Sequence, residues 1–523
     1  MAAAATTTTF KTIDLPMPDV MLDLEQRRIV QIGFGGIGSA MVQLYVKHFV
    51  FQPKNIIVLE MKPELCNEGS TMYPTVQFVN VKVTQQNYKQ LFETYLRPLD
   101  LLLDLAWYID SCAEIEWCHH HNVLYVNTAM EWWNVEQTSS STDPRQLTLY
   151  TRQLKLQELV RKWKNDKVNP TAVLTHGANP GWVSHATKLG LRDWTEYVLQ
   201  HATIDGKSQS GGAAIKFELS ANRAEKLLKA YQAGWWPRVA QLLNVQVIHI
   251  AEKDTLRSNK TKELNEFVCT WSPQGFIEEG MAPAELGWGT HETLQEGVYQ
   301  HEDGPKHQVC FATRGMNTHV QSYVPSGNMV GMVIRHEEAY SIPEYLTLTS
   351  KGKPVYRPTV HYCYQPCNDT VASVYELTSS GYNPPKSERI PKRDLIDGTD
   401  ELGVFMLSKN FGGWWIGSTQ SVAESQALLP GQGPTVTLVA AGVLGAVMYA
   451  FKHPQLGVIH PEAMDENEVM TYVLPYLKPF QSSFVEGFKP HVQATFGSSA
   501  ANTSKDWTIQ KLLATPIVGV PTA

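Results

Sequence analysis

Two sets of residues in this chain have types and spacings that could do chemistry. The first is Gly33-Phe34-Gly35-Gly36-Ile37-Gly38, a G-x-G-x-x-G run followed 22 residues later by a carboxylate, Glu60. In such a run Gly33 permits a tight turn, Gly35 lets a pyrophosphate approach the backbone, and Gly38 lets a helix lie close on a strand. Gly36 and Ile37 open that helix, whose free N–H groups and dipole favour an anion. Glu60 is placed to accept hydrogen bonds from both hydroxyls of an adenosine ribose. It would repel a 2′-phosphate, so the expected cofactor is NAD rather than NADP, a choice that nearby Lys62 slightly weakens.

The second set is scattered along the chain. Glu131 precedes two tryptophans, Asn179 lies in HGANPGW, and Glu252 ends the apolar stretch NVQVIHIAE. Trp271 ends EFVCTW and is followed by Glu278 and Glu279, while His336 and Glu338 follow NMVGMVI. Carboxylates at strand ends beside aromatic rings are what a diamine site needs, because each ammonium requires an anion or a π-face once it leaves water. Spacing alone does not bring these residues together. Each has a plain alternative: a solvated loop glutamate, a core tryptophan, a structural histidine. Cys118-His119-His120-His121 is read as a helix end rather than a metal site, since consecutive side chains on a helix point in different directions. No metal is expected, and neither a P-loop nor a Ser-His-Asp signature is present.

The elements that would position the first set alternate in type. Strands are expected at 28–34, 55–60, 76–83, 101–105, 123–126 and 171–176, with helices at 35–50, 109–121 and 147–163. That alternation is the pattern of an α/β, doubly wound parallel sheet. From about residue 204 the texture changes to strands such as 245–251 and 266–271 joined by Gly- and Pro-containing loops, which predicts an α+β unit. The apolar run 435–451 is short for a membrane span and polar sequence follows at once, so a buried helix packed on a sheet is expected. The domains expected are a flexible tail over 1–24, an NAD-binding domain over 25–185, an α+β substrate and dimerisation domain over 186–365, a returning segment over 366–480 that completes the first sheet, and a C-terminal tail over 481–523.

At 523 residues the chain exceeds one ordinary core. Its net charge of -7 gives no support to nucleic-acid binding and is compatible with a cationic substrate. Seven cysteines, odd in number and without a Cys-x-x-Cys pair, read as free thiols in a reducing cytoplasm. The opening MAAAATTTTF lacks the features of a signal peptide.

The same motifs carry a family resemblance over about residues 27–480. IGFGGIG, GANPGWVS, HIAEKDT, TWSPQGF, EGMAPAELGWGT, VYRPTVHY, YQPCNDTV and DGTDELGV together resemble the bacterial-type homospermidine synthases, relatives of saccharopine dehydrogenase. The resemblance implies a Rossmann domain with an inserted saccharopine-reductase-like domain, assembled as a homodimer. It implies aminobutyl transfer from putrescine or spermidine to putrescine, with NAD taking and returning a hydride so that no net redox occurs. Carried over by motif, Glu131 and Asn179 would orient the reacting nitrogen, Trp271 would stack on a cationic imine, and His336 would transfer a proton. Glu252, Glu279, Glu338 and Asp110 would bind ammonium groups. Thr128, Asn179, Pro180, Asn368 and Asp369 would join the glycine turn and Glu60 in holding NAD. The chain departs from the family pattern at Glu60, where an Asp often stands, at Asn127, where Asp is expected, and at Glu337, where a neutral residue is expected. The last two would change pocket charge and so substrate preference.

Two other functions compete. A net dehydrogenase of the saccharopine or carboxyspermidine type would need cations for its substrate carboxylate, and Arg335 and Arg357 are the candidates. A non-catalytic NAD-binding regulator would not need Trp271, Glu279 and His336.

Overall fold

A computed structural model describes residues 11–17, 21–133, 143–208, 216–490 and 506–514. Within them two large sheets carry the chain. In the first, seven strands run parallel in the order Gln77–Asn80, Ile56–Glu60, Ile29–Ile32, Leu101–Asp104, Leu124–Asn127, Ala172–Val173 and Val458–Ile459. The chain starts in the middle, builds outward to Gln77–Asn80, then crosses to the other side of Ile29–Ile32. That reversal creates a crevice at the strands' carboxyl ends, where such sheets bind ligands.

These strands read as unbroken apolar runs because both faces are covered. Ile29, Ile56, Val58, Leu101, Leu103, Leu124 and Val126 face one core together with helices Gly36–His48 and Pro434–Lys452. Val30, Ile57, Leu59, Leu102 and Tyr125 face the other, with Phe92, Ile115 and Leu156 from three further helices. Each fully buried aliphatic side chain contributes roughly 1.5–3 kcal/mol.

The apolar run expected to form a buried helix does so. Pro434–Lys452 packs on Gly36–His48 and on Leu124–Asn127. A Cβ at Gly442 would lie 1.8 Å from the Gly177 carbonyl oxygen, so this helix seats directly on the HGANPGW loop.

The second sheet has 11 strands among the described residues, with a parallel central pair, Val245–Asp254 and Thr359–Gln365. Thr399–Ser408, Gly412–Ser421 and Phe480–Val485 extend it antiparallel on one side, and Pro283–Gly287 and Gln308–Arg314 on the other.

Three expected segments need correction. The returning segment 366–480 is divided, because Thr399–Ser408 and Gly412–Ser421 complete the mixed sheet while Pro434–Lys452 and Val458–Ile459 complete the parallel one. The N-terminal tail is tied down where it is described: Lys11–Thr12 pairs with Phe480–Val485, and Leu22–Asp23 with Phe49–Val50. In the C-terminal segment, Ile509 and Leu512 are buried in the core of the mixed sheet. In each case open backbone or apolar surface on a sheet is covered by chain distant in sequence, which local patterning does not reveal. The helix expected at 109–121 runs from Ser111 to His121, with Asp110 as its N-cap.

Candidate active site

The glycine turn is built as its spacing requires. Gly33 has φ +95, a conformation that L side chains rarely adopt. A Cβ at Gly38 would lie 2.3 Å from the Gly33 carbonyl oxygen, so only glycine lets the helix approach the strand. Nothing lies within 4 Å of where a Cβ on Gly35 would point, and no side chain caps the helix, which leaves its first N–H groups without an intrahelical partner for an anion to use. Glu60, at the end of its strand and 5% exposed, accepts from the Phe34 N–H at 2.7 Å and the Lys62 N–H at 2.8 Å. The second lone pairs of its oxygens are suited to ribose hydroxyls. Open backbone, helix amides and a strand-end carboxylate fit a dinucleotide.

Beside this turn lies a cleft between the two sheets. It gathers Ile37, Thr128, Asn179, Pro180, Glu252, Trp271, Glu279 and His336 from the expected set. Parallel-sheet strand ends supply Thr128 and the loop holding Asn179, with an Asn179–Pro180 peptide in the cis form. The mixed sheet supplies Glu252 from Val245–Asp254, and helix Pro273–Met281 supplies Glu279.

The polar groups pair inside the cleft. Glu252 Oε2 accepts from Asn179 Nδ2 at 3.0 Å and from the Tyr362 hydroxyl at 2.5 Å. Burial pushes the Glu252 carboxyl up to about 7, although both bonds oppose the rise. His336 lies between two carboxylates, with Nε2 3.1 Å from Glu279 and Nδ1 3.2 Å from Glu338. Burial alone would strip its proton, but Glu338 and Glu279 outweigh that and hold its pKa well above the usual range. Burial in turn raises Glu279. Trp271 lies at the cleft beside Trp107, with ring centroids 6.4 Å apart.

Other expected residues do not line the cleft. Glu131 is buried behind it, 3.4 Å from Arg152, with its pKa raised to about 8 by burial and by the Glu278 charge. Glu338 is wholly buried and reaches the cleft only through His336. Asp110 caps its helix on the Ala113 N–H and pairs with Lys155 at 3.2 Å, so it acts structurally here. Asn368 and Asp369 open helix Asn368–Ser379 and are not part of this cleft lining. Neither arginine considered as a carboxylate anchor faces the cleft. Arg335 bonds the Leu147 carbonyl and Glu278, and Arg357 bonds Thr347 and the Trp288 carbonyl.

Sequence reasoning missed Tyr362 and Trp107. Tyr362 bonds Glu252 and stacks on His336, with ring centroids 4.2 Å apart. It sits inside VYRPTVHY, but its position became meaningful only once that strand paired in parallel with the strand bearing Glu252. Trp107 follows strand Leu101–Asp104, a strand-end position of the kind that singled out Glu131.

The family model described as the saccharopine dehydrogenase NADP binding domain matches residues 29–173, and that of the saccharopine dehydrogenase C-terminal domain matches residues 177–483. A homospermidine synthase of Mesorhizobium japonicum is 33% identical, over 88% of this chain and 90% of its own length. One of Blastochloris viridis is 30% identical, over 93% of this chain and 97% of its own. The crystal structure of a homospermidine synthase from Legionella pneumophila in complex with NAD superposes with a TM-score of 0.79 at 30% identity, covering 95% of this chain and 99% of that one.

Proposed function

The chain belongs to the homospermidine synthase family, within the saccharopine-dehydrogenase-like proteins, and on that premise we propose how its cleft carries out aminobutyl transfer between diamines. The substrates are putrescine, or spermidine as donor, with putrescine as acceptor. Ammonia or diaminopropane leaves. One observation carries the reading: Glu252, Glu279 and Trp271 meet in one cleft whose described lining contains no arginine or lysine. Such a site suits amines, and the charge of His336 in its lining is offset by two carboxylates.

NAD fits the Gly33–Gly38 turn and Glu60, and when bound it supplies the acceptor for a hydride from an amine-bearing carbon and the donor that returns it. The residues do the rest. An ammonium must lose a proton before its carbon gives up hydride. Glu252, with its carboxyl near neutrality, is the base, and Asn179 and Tyr362 hold it in place. Trp271 presents a π-face to the cationic imine without acting as a base. Glu279 binds the second amine. This divides the acid and base roles between two groups whose environments push them apart. His336, held as an imidazolium, is the acid that protonates the departing amine rather than the first base. Glu131 supports the cleft from behind instead of touching the reacting nitrogen.

The alternative of a net dehydrogenase lacks its anchor, since Arg335 and Arg357 are bound elsewhere. Seven cysteines without a disulfide support a reducing, cytoplasmic setting. The homodimer implied by the resemblance belongs to the same reading, and light scattering at the mass of one chain would remove it. The test of function is incubation with putrescine and a catalytic amount of NAD. Homospermidine should form without build-up of NADH; stoichiometric NADH without homospermidine would overturn the proposal in favour of the dehydrogenase.

A further inference from the structure

Behind the cleft lies a buried ion cluster that none of the roles above uses. Glu278, next in sequence to Glu279, is held between two guanidiniums. Arg152 Nη2 donates to its Oε1 at 2.7 Å, and Arg335 Nη2 donates to the same oxygen. The three side chains are 4–6% exposed. Arg335 precedes His336, and its other terminal nitrogen donates to the Leu147 carbonyl at 2.6 Å. Arg152 also donates to the Met130 carbonyl and lies 3.4 Å from Glu131. On the other side of His336 in sequence, a Glu337 carboxylate oxygen accepts from the Met130 N–H at 3.1 Å.

The cluster spans both halves of the molecule. Arg152, Leu147 and Met130 belong to the nucleotide-binding half, where the loop through Thr128 forms one wall of the cleft. Glu278, Arg335 and Glu337 belong to the other half, each beside a residue that lines the cleft, Glu279 or His336. A guanidinium holds two partners in fixed directions, which a point charge on a flexible stem does not. Buried charges of this kind are costly to leave unpaired, so the arrangement is held tightly once formed.

We propose that Arg152, Glu278 and Arg335 form a positioning clasp that locks the two halves together and sets Glu279 against His336 at the cleft. None of the three touches substrate. This rests on the functional reading above for its kinetic test, though not for its structural one.

The test uses two variants of the full chain. Glu278→Gln removes the anion while keeping its shape. Arg335→Lys keeps the charge but cannot hold Leu147 and Glu278 together. His336 is faced by Glu279 from helix Pro273–Met281, by Glu338 and Glu337 beside it in sequence, by Tyr362 from strand Thr359–Gln365, and by Glu252 from strand Val245–Asp254. If the clasp positions Glu279, loosening it deprives the imidazolium of one anion. The alkaline limb of kcat then moves down by about one pH unit or more in both variants, and kcat/KM for putrescine falls on the order of 100-fold, because Glu279 also binds the second amine. A crystal structure of Arg335→Lys would show the 3.1 Å contact between Glu279 and His336 broken. An unmoved limb in Arg335→Lys, with that contact intact, overturns the proposal even if Glu278→Gln is impaired or fails to fold, because charge alone would then be at work. If the wild type makes no homospermidine, the functional reading fails, and the crystallographic arm still decides the clasp.

Discussion

Charge at the cleft is divided among a few side chains, and each makes a separate demand. Trp271 offers a face but no lone pair, so its removal should cost catalysis and spare the cofactor. Trp271→Ala is expected to lose about 30-fold or more in kcat, the equivalent of ~2 kcal/mol of desolvated cation–π contact. NAD content after purification should be unchanged; wild-type turnover would remove the stacking role. Glu252 must be ionised to take a proton, and burial raises its carboxyl to about 7. Activity at low substrate should therefore rise with pH through that value. In Glu252→Gln the rise should vanish and the rate fall about 100-fold, the scale of a lost general base. A variant that kept the acidic limb would place the base elsewhere. The types of these two residues were readable in the sequence, because a strand-end acid or indole is conspicuous in an apolar run. Glu131 was equally conspicuous, but it serves Arg152 behind the cleft. Asp110, expected to bind an ammonium group, caps its helix, and an acid just before a helical stretch is an N-cap by local chemistry alone.

At the scale of elements, the site depends on close backbone approaches. Helix Pro434–Lys452 rests on the loop that carries Asn179, and Gly442 makes the contact possible. Gly442→Ala should push helix and loop apart and destabilise the protein by about 1–3 kcal/mol, as overpacked cores do. Asn179 moves with the loop, so kcat should fall together with the melting temperature; a variant with both unchanged would show that the helix does not set the loop. The parallel sheet was legible because each strand, helix and glycine signal is local and agrees with its neighbours. The mixed sheet was not. Its strands 399–408 and 412–421 have the same apolar texture as returning Rossmann strands, and nothing in a strand's own sequence names its partner. Tyr362 was invisible for that reason, since it matters only across the pairing of Val245–Asp254 with Thr359–Gln365.

The whole molecule buries an unusual load of acids where its two halves meet. Burial raises Glu285, Glu337 and Glu252 to about 7 and Glu131 to about 8. The same acids ionise in the unfolded chain near their ordinary values, so the stability they contribute is full at low pH and is lost as pH rises through the folded values. Buried histidines such as His176, held down at about 4, act oppositely, but only below the unfolded value near 6.5. The ligand-free protein should thus melt lower at pH 8 than at pH 6.5, by the loss of on the order of 1 kcal/mol for each such carboxyl. A melting temperature that is flat or rising over that interval would mean these acids are already ionised in the fold. This assembly of halves serves to lend a hydride and recover it while acids and an indole hold the amines. Putrescine deuterated at both amine-bearing carbons tests that most directly. Homospermidine should retain every deuterium in ordinary water, with no NADH accumulating. Deuterium left on accumulating reduced cofactor, with no homospermidine formed, would contradict it.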